Sequence, residues 1–422
     1  MPLKKCALFL LVFVLAPIIS QAQNFYKEVP IDTTFRASGL KDKGKREGLW
    51  RFERRRDGAV VTGYYNQGVP DSVWYKSFNF VISEAILLRD GKKQGPYNTY
   101  DSYGKLISSS FFKDDILDGP YSEYYDDGRV GLSGYYDQGK KDSVWIEYSA
   151  LGNKNFEQYY QDDLRVGTWV YYHANKRMAR TETYKSGLLN GKVEEFHYNK
   201  NKTLEAHYTN GLLDGKYAEY YKNGALSVEG QYDSDLKTGT WVSMSPQGIM
   251  FSIGEYKADH KQGLWKYFYE SGALFSEGKY KNNLKDGQWI DYYESGKLNS
   301  IGTYLSNLKN GLWGHFYENE QLIQDENWAH GRLLDVSEYF SEQGEVLPKG
   351  TLAKGNGTRN VYFLNGELQI KENYQNGQPH GLWNTYHDNG KIAAEETYDQ
   401  GESTGTWKYY NRKGKLKNAR YF

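Results

Sequence analysis

The sequence predicts an all-β protein, an elongated array of about sixteen β-hairpin repeats of 24 residues joined into a twisted antiparallel sheet. Three observations carry this. The phrase Gly263-Leu-Trp-Lys-Tyr-Phe-Tyr-Glu-Ser-Gly272 returns 24 residues later as Gly287-Gln-Trp-Ile-Asp-Tyr-Tyr-Glu-Ser-Gly296. Ten of the eleven tryptophans fall at one position of that period. The composition is 40 Tyr and 45 Gly against 9 Pro and 4 Met, which suits short pleated strands joined by tight turns.

Counting each repeat from position zero, the starts are Gly48, Ser72, Gly95, Gly119, Ser143, Gly167, Gly191, Gly215, Gly239, Gly263, Gly287, Gly311, Asp335, Gly357, Gly381 and Gly405. Two residues on stand Trp50, Trp74, Trp145, Trp169, Trp241, Trp265, Trp289, Trp313, Trp383 and Trp407, with Tyr97, Tyr121 and Tyr217 in other repeats. Position five is an aromatic row: Tyr100, Tyr124, Tyr148, Tyr172, Tyr220, Phe268, Tyr292, Phe316, Tyr386 and Tyr410. Position seventeen is tyrosine again, as in Tyr160, Tyr232, Tyr256, Tyr280 and Tyr304. Glycine recurs at position nine, and Asn or Asp commonly precedes the starting glycine, as in Asp286-Gly287 and Asn310-Gly311. Such pairs favour turns at positive φ, so a turn is expected at the start and another at position nine. A lone hairpin is marginal in water, so stacked hairpins bury their aromatics on their neighbours' copies. Positions two and five are an odd number apart, so either both faces carry aromatics or a bulge brings the two rows together.

At these residues the chain resembles a known family. The pattern Gly-x-Trp-x-x-Tyr-Tyr-x-x-Gly-x-Leu, with Asp126-Asp-Gly128-Arg, Lys222-Asn-Gly224-Ala-Leu226 and Asp388-Asn-Gly390-Lys-Ile392, resembles the MORN repeat variant over residues 48–422. The resemblance implies a β-hairpin array. It also implies scaffold, lipid-contacting or antitoxin-type roles.

The domain organisation follows the repeat. Residues 1–22 read as a signal peptide: Lys4 and Lys5, an apolar run from Cys6 to Ile19, then Ser20-Gln-Ala22. That run is short for a membrane span. Residues 23–47 lack the pattern and form a cap. Residues 48–334 hold repeats one to twelve, 335–366 two irregular repeats, and 367–422 the C-terminal repeats. The irregular pair reads as a joint where the sheet bends or pauses, with an altered, partner-contacting repeat as the rival reading.

Little points to chemistry. Lys plus Arg and Asp plus Glu each total 53, so no basic footprint calls for nucleic acid. The single cysteine lies in the leader, so the mature chain has no thiol nucleophile or disulfide. His197 and His207 could approach across a hairpin, but ordinary strand-face histidines are the simpler reading. Asp114-Asp115, Asp126-Asp127 and Asp162-Asp163 stand at expected turns, where Asp serves the backbone. No cofactor and no enzymatic activity are expected. The expected role is an exported scaffold or protein-binding surface, periplasmic, outer-membrane-associated or extracellular. The alternatives are an antitoxin-like or immunity-like protein, or one that binds a glycan or membrane surface. The position-five row is the candidate contact surface, because exposed rings give rigid contact area.

Overall fold

The computed structural model describes residues 35–54 and 56–422, so the leader and the first part of the cap lie outside the described residues. The chain divides into two compact units, Met1–Lys176 and Arg177–Phe422. In both, successive strands pair antiparallel with their sequence neighbours, hairpin after hairpin. The fold is all-β, as the repeat predicts.

One repeat shows the construction. Strand His260–Phe268 runs into a tight turn in which Gly272 N donates to Tyr269 O and Tyr269 N to Ala273 O. Strand Leu274–Lys281 returns, and Asn282 and Asn283, at φ 50° and 68°, lead into Leu284–Tyr292. Both turn residues are left-handed, the geometry that matches strand twist.

The starting glycine is not in a turn, and here the sequence expectation is corrected. Gly263 lies mid-strand at φ 63°, where Ile253 pairs with Lys266 but Glu255 pairs with Gln262. Extra residues on one strand make a β-bulge, and the glycine supplies its positive φ. The hairpin turn falls earlier, at Ala258-Asp259. The carboxylate of Asp259 accepts from Lys237 N at 2.8 Å, and Asp259 N donates to Lys237 O at 3.1 Å. Asp163 does the same for Lys141, and Asn283 for Lys237's counterpart Lys261. Turn carboxylates and amides therefore tie each hairpin to the one before. Asp259→Ala should lose this bond and strain the left-handed backbone, lowering stability by about 1–2 kcal/mol in urea unfolding. Asp259→Gly should cost less, because only the bond is lost.

The N-terminal strand Phe35–Asp42 already follows the pattern. Gly39 pairs with Trp50, and Trp50 Nε1 donates to Leu40 O at 2.9 Å. The 23-residue step before Gly95 has a local cause: Phe78 and Val81 are joined by the two-residue turn Asn79-Phe80.

In the C-terminal unit the long run of pairing ends at Arg332–Val336. A short pair, Tyr339–Phe340 with Val346–Leu347, follows, and a new sheet starts at Gly357–Tyr362 and continues to Leu416–Tyr421. Leu333, Val336, Leu352 and Tyr374 form a buried cluster there, with Trp328 and Trp383 packed against it. The altered repeat length at 335–366 thus falls where one sheet gives way to the next.

Candidate functional site

The two faces of the sheet are built differently. On the first lie position two, position four and position seventeen. Trp265 stacks on Tyr267 with centroids 6.0 Å apart and meets Tyr280 edge-on at 6.0 Å and Tyr256 at 5.2 Å. Trp289 and Trp313 repeat these contacts. These tryptophans are buried, at 2–3% exposure. Their indole N–H groups donate to the carbonyl ten residues earlier, Trp265 to Glu255 O at 3.2 Å and Trp289 to Lys279 O at 3.1 Å.

Two further positions complete the packing. Gly254, Gly278 and Gly302 lie directly under Trp265, Trp289 and Trp313, and a Cβ on any of them would overlap the ring. Two residues before each start, a cation covers the indole: Lys237, Lys261 and Lys285 stand 4.0, 4.1 and 3.9 Å from the centroids of Trp241, Trp265 and Trp289. Burial pulls all three ammonium groups below the ordinary lysine range. This cation–π contact is internal to the fold.

The position-five row lies on the opposite face, which settles the open alternation in favour of aromatics on both faces. Lys266, next to Trp265, pairs across the strands with Glu277. Glu277 holds Lys266 Nζ at 3.1 Å and accepts from Tyr292 OH at 3.0 Å. Tyr172 and Tyr410 donate likewise to Glu157 and Glu395, at 3.3 and 2.7 Å. All ten, Tyr100, Tyr124, Tyr148, Tyr172, Tyr220, Phe268, Tyr292, Phe316, Tyr386 and Tyr410, are half-buried. Their backbone carbonyls receive a second row not singled out from sequence: Tyr125, Tyr269 and Tyr293 at position six donate to the carbonyls of Tyr148, Tyr292 and Phe316 at 2.7–2.8 Å.

Farther along the same face, positions one and sixteen pair across the strands. In the N-terminal unit these pairs are Leu49–Tyr64, Val73–Leu87, Pro96–Phe111, Pro120–Tyr135 and Val144–Tyr159. In the C-terminal unit they include Lys192–His207, Lys216–Gln231, Thr240–Glu255 and Gln288–Thr303. The same place in the fold is apolar in one unit and mostly polar in the other.

Burial opposes ionisation of the tyrosines packed around several of the tryptophans. Burial, with Glu123 beside Tyr121 and Glu219 beside Tyr217, raises those phenols above the usual range. Burial and the charge of Asp163 push Tyr136 up to about 12. Raised folded values mean stability that is complete below the unfolded pKa of about 10 and lost as pH rises through the folded values. The array should therefore hold to about pH 10 and unfold cooperatively as pH approaches 12. Tyrosinate absorbance and strand circular dichroism should change together. Titration of most phenols near pH 10 with the sheet intact would contradict this.

Among the described residues no group of three or more His, Cys, Asp or Glu gathers to hold a metal. An open depression of about 610 Å³ is lined by Ala329, His330, Arg332, Leu334, Lys354 and Asn376 at the joint.

The geometry defines a β-hairpin repeat array whose most regular residues are spent on holding repeat to repeat. Residues 213–234, 261–282, 285–305, 356–376 and 379–400 match the family model of the MORN repeat variant. Those five stretches are MORN-type repeats. No curated protein matches it. Among solved structures, a Photorhabdus luminescens Tc holotoxin pore is 11% identical at TM-score 0.15, the match covering 90% of this chain and 24% of that one. A TcdB2–TccC3–Cdc42 structure is 11% identical at TM-score 0.15, with 92% and 24% covered. A TcdB2–TccC3 structure is 10% identical at TM-score 0.13, with 92% and 25% covered. This chain thus spans about a quarter of those chains, and at such TM-scores the likeness carries no argument.

Proposed function

We propose that this protein is an exported, non-enzymatic scaffold that binds a protein partner through the face opposite the tryptophan row. The observation that carries the reading is the division of labour between the faces. The tryptophans, their glycines and their lysines are occupied by one another. The opposite face of the N-terminal unit keeps large side chains in solvent, with Leu49 55% and Tyr64 49% exposed. Exposed apolar surface on a regular, rigid sheet suits binding. The leader-like residues 1–22 support export.

The test is capture from envelope fractions of the native organism on the purified chain, with bound material identified by mass spectrometry and a glycan array run in parallel. One dominant protein partner supports the reading, and a toxin as that partner would make it an immunity or antitoxin-like scaffold. Glycan or lipid retention without a protein would overturn it.

A further inference from the structure

We propose that the apolar stripe of the N-terminal unit docks a basic amphipathic α-helix of a partner protein; this rests on the scaffold reading and names the partner's chemistry. The first support is that the fold does not need the stripe. Position sixteen carries Tyr64, Phe111, Tyr135 and Tyr159 in the N-terminal unit, each 39–49% exposed. The same register position in the other unit is filled by His207, Gln231, Glu255 and Thr303, and those hairpins pair just as completely. Apolar side chains left in water where polar ones serve equally point to a contact outside the chain.

The second support is charge. Four of the bulges place a carboxylate against the stripe, whereas the bulge at Tyr159 brings Val166. Leu40 pairs with Glu47, Tyr64 with Asp71 and Tyr135 with Asp142, while Asp118 N donates to Phe111 O at 2.9 Å. In the C-terminal unit the same position is mostly neutral, with Asn190, Thr238, Gln262 and Asn310 beside the two carboxylates Asp214 and Asp286. Among the described residues none of Glu47, Asp71, Asp118 and Asp142 is in an ion pair. Their side chains accept from neutral donors: Gln67 N, Ser72 N, the Gln138 amide and the Ser143 hydroxyl.

An apolar line bordered by unpaired carboxylates selects its occupant. Anionic membrane would be repelled by the border. A second copy would bring like charges together. A helix fits in dimension as well. Equivalent rows lie two strands apart, about 9.6 Å, and seven helical residues advance about 10.5 Å. A helix laid across the strands would offer one apolar residue per row and a lysine or arginine to each carboxylate.

The test uses the whole chain and a synthetic helical peptide with leucine on one face and lysine on its flanks, beside a twin with glutamate flanks. Binding is read by fluorescence anisotropy at low and high salt. The lysine peptide should bind, more weakly at high salt, and the glutamate twin at least about tenfold less tightly. The double variant Tyr64→Ser, Tyr135→Ser should weaken the lysine peptide by about tenfold or more at unchanged melting temperature. Asp71→Asn with Asp142→Asn should weaken it and flatten the salt dependence. Gln231→Ser, in the polar register, should change nothing. Equal binding of the twin, or indifference to the Tyr64 and Tyr135 changes, overturns the proposal. If a captured protein partner still binds those variants, the helix site fails while the scaffold reading stands. If no protein is captured at all, the scaffold reading fails.

Discussion

Gly278→Ala is expected to destabilise the repeats on either side of it by about 2–3 kcal/mol, although the change adds a single methyl group. Gly278 is buried opposite Trp289, whose ring atoms occupy the space a Cβ would take. Backbone on both sides is held by ladder bonds, so the indole has to leave its burial instead. It would give up its bond to Lys279 O and its contacts with Tyr280 and Lys285. The chain contains its own precedent for relief: Ala206 stands in this position opposite Tyr217, a smaller ring. Trp289→Tyr should therefore reduce the cost of Gly278→Ala to below about 1 kcal/mol, a coupling read from a double-mutant cycle in urea. Additive costs would mean that the tryptophan does not pack on the glycine.

Arg359→Met should cost about 3–5 kcal/mol at neutral pH. Arg359 occupies position two of its repeat, where tryptophan usually stands, and its side chain is largely covered at the joint, 14% exposed. Its guanidinium donates to Gln324 Oε1 at 3.0 Å, Glu326 Oε1 at 2.6 Å and Glu372 Oε2 at 3.4 Å. Both glutamates hold position fifteen, the place of the glycine under tryptophan elsewhere. An arginine between two glutamates thus replaces the ring-on-glycine contact where the sheet ladder is broken. Glu326 also receives Lys309 Nζ at 3.0 Å and Trp328 Nε1 at 2.8 Å. His315 Nε2 lies 3.2 Å away, without the alignment of a hydrogen bond.

The two carboxyls respond oppositely. Burial works against ionising Glu326, but His315, Arg359 and Lys309 outweigh it and hold that carboxyl well below the carboxylate range. Its stabilisation is present above the unfolded pKa of about 4.3 and is lost as pH falls through the folded value. Burial dominates at Glu372 and raises its pKa despite Arg359. Its contribution is therefore greatest below about pH 4.3 and lost as pH rises through the raised value. At neutral pH Glu326→Gln should destabilise clearly and Glu372→Gln should cost less. Without Arg359, Glu372 loses its cation and Glu326 keeps only Lys309 and His315, so the Arg359→Met penalty should shrink on acidification. A penalty independent of pH would place the arginine's role in packing alone.

The strand count, the period and the buried tryptophan row were legible in the sequence, because identical contacts demand identical residues. The glycine at position fifteen was equally periodic, in Gly230, Gly254, Gly278 and Gly302, and signalled the ring above it. The starting glycine was harder. Asp-Gly and Asn-Gly serve a hairpin turn and a bulge alike, and only the strand register tells them apart. The Arg359–Glu326 contact spans 33 residues and skips a repeat, so periodicity could not reveal it. The apolar stripe was visible as a composition difference at position sixteen, Tyr64 against His207, but its exposure depends on which face the bulge presents.

In the proposed division of labour, one face holds the repeats together and the other binds a protein. The most direct measurement compares partner capture from envelope fractions by the unaltered chain and by the variant Tyr64→Ser, Tyr135→Ser, Tyr159→Ser at matched melting temperature. The account predicts one protein retained by the former and lost at least about tenfold by the latter. Equal retention by both chains, or retention of glycan or lipid alone, would contradict it.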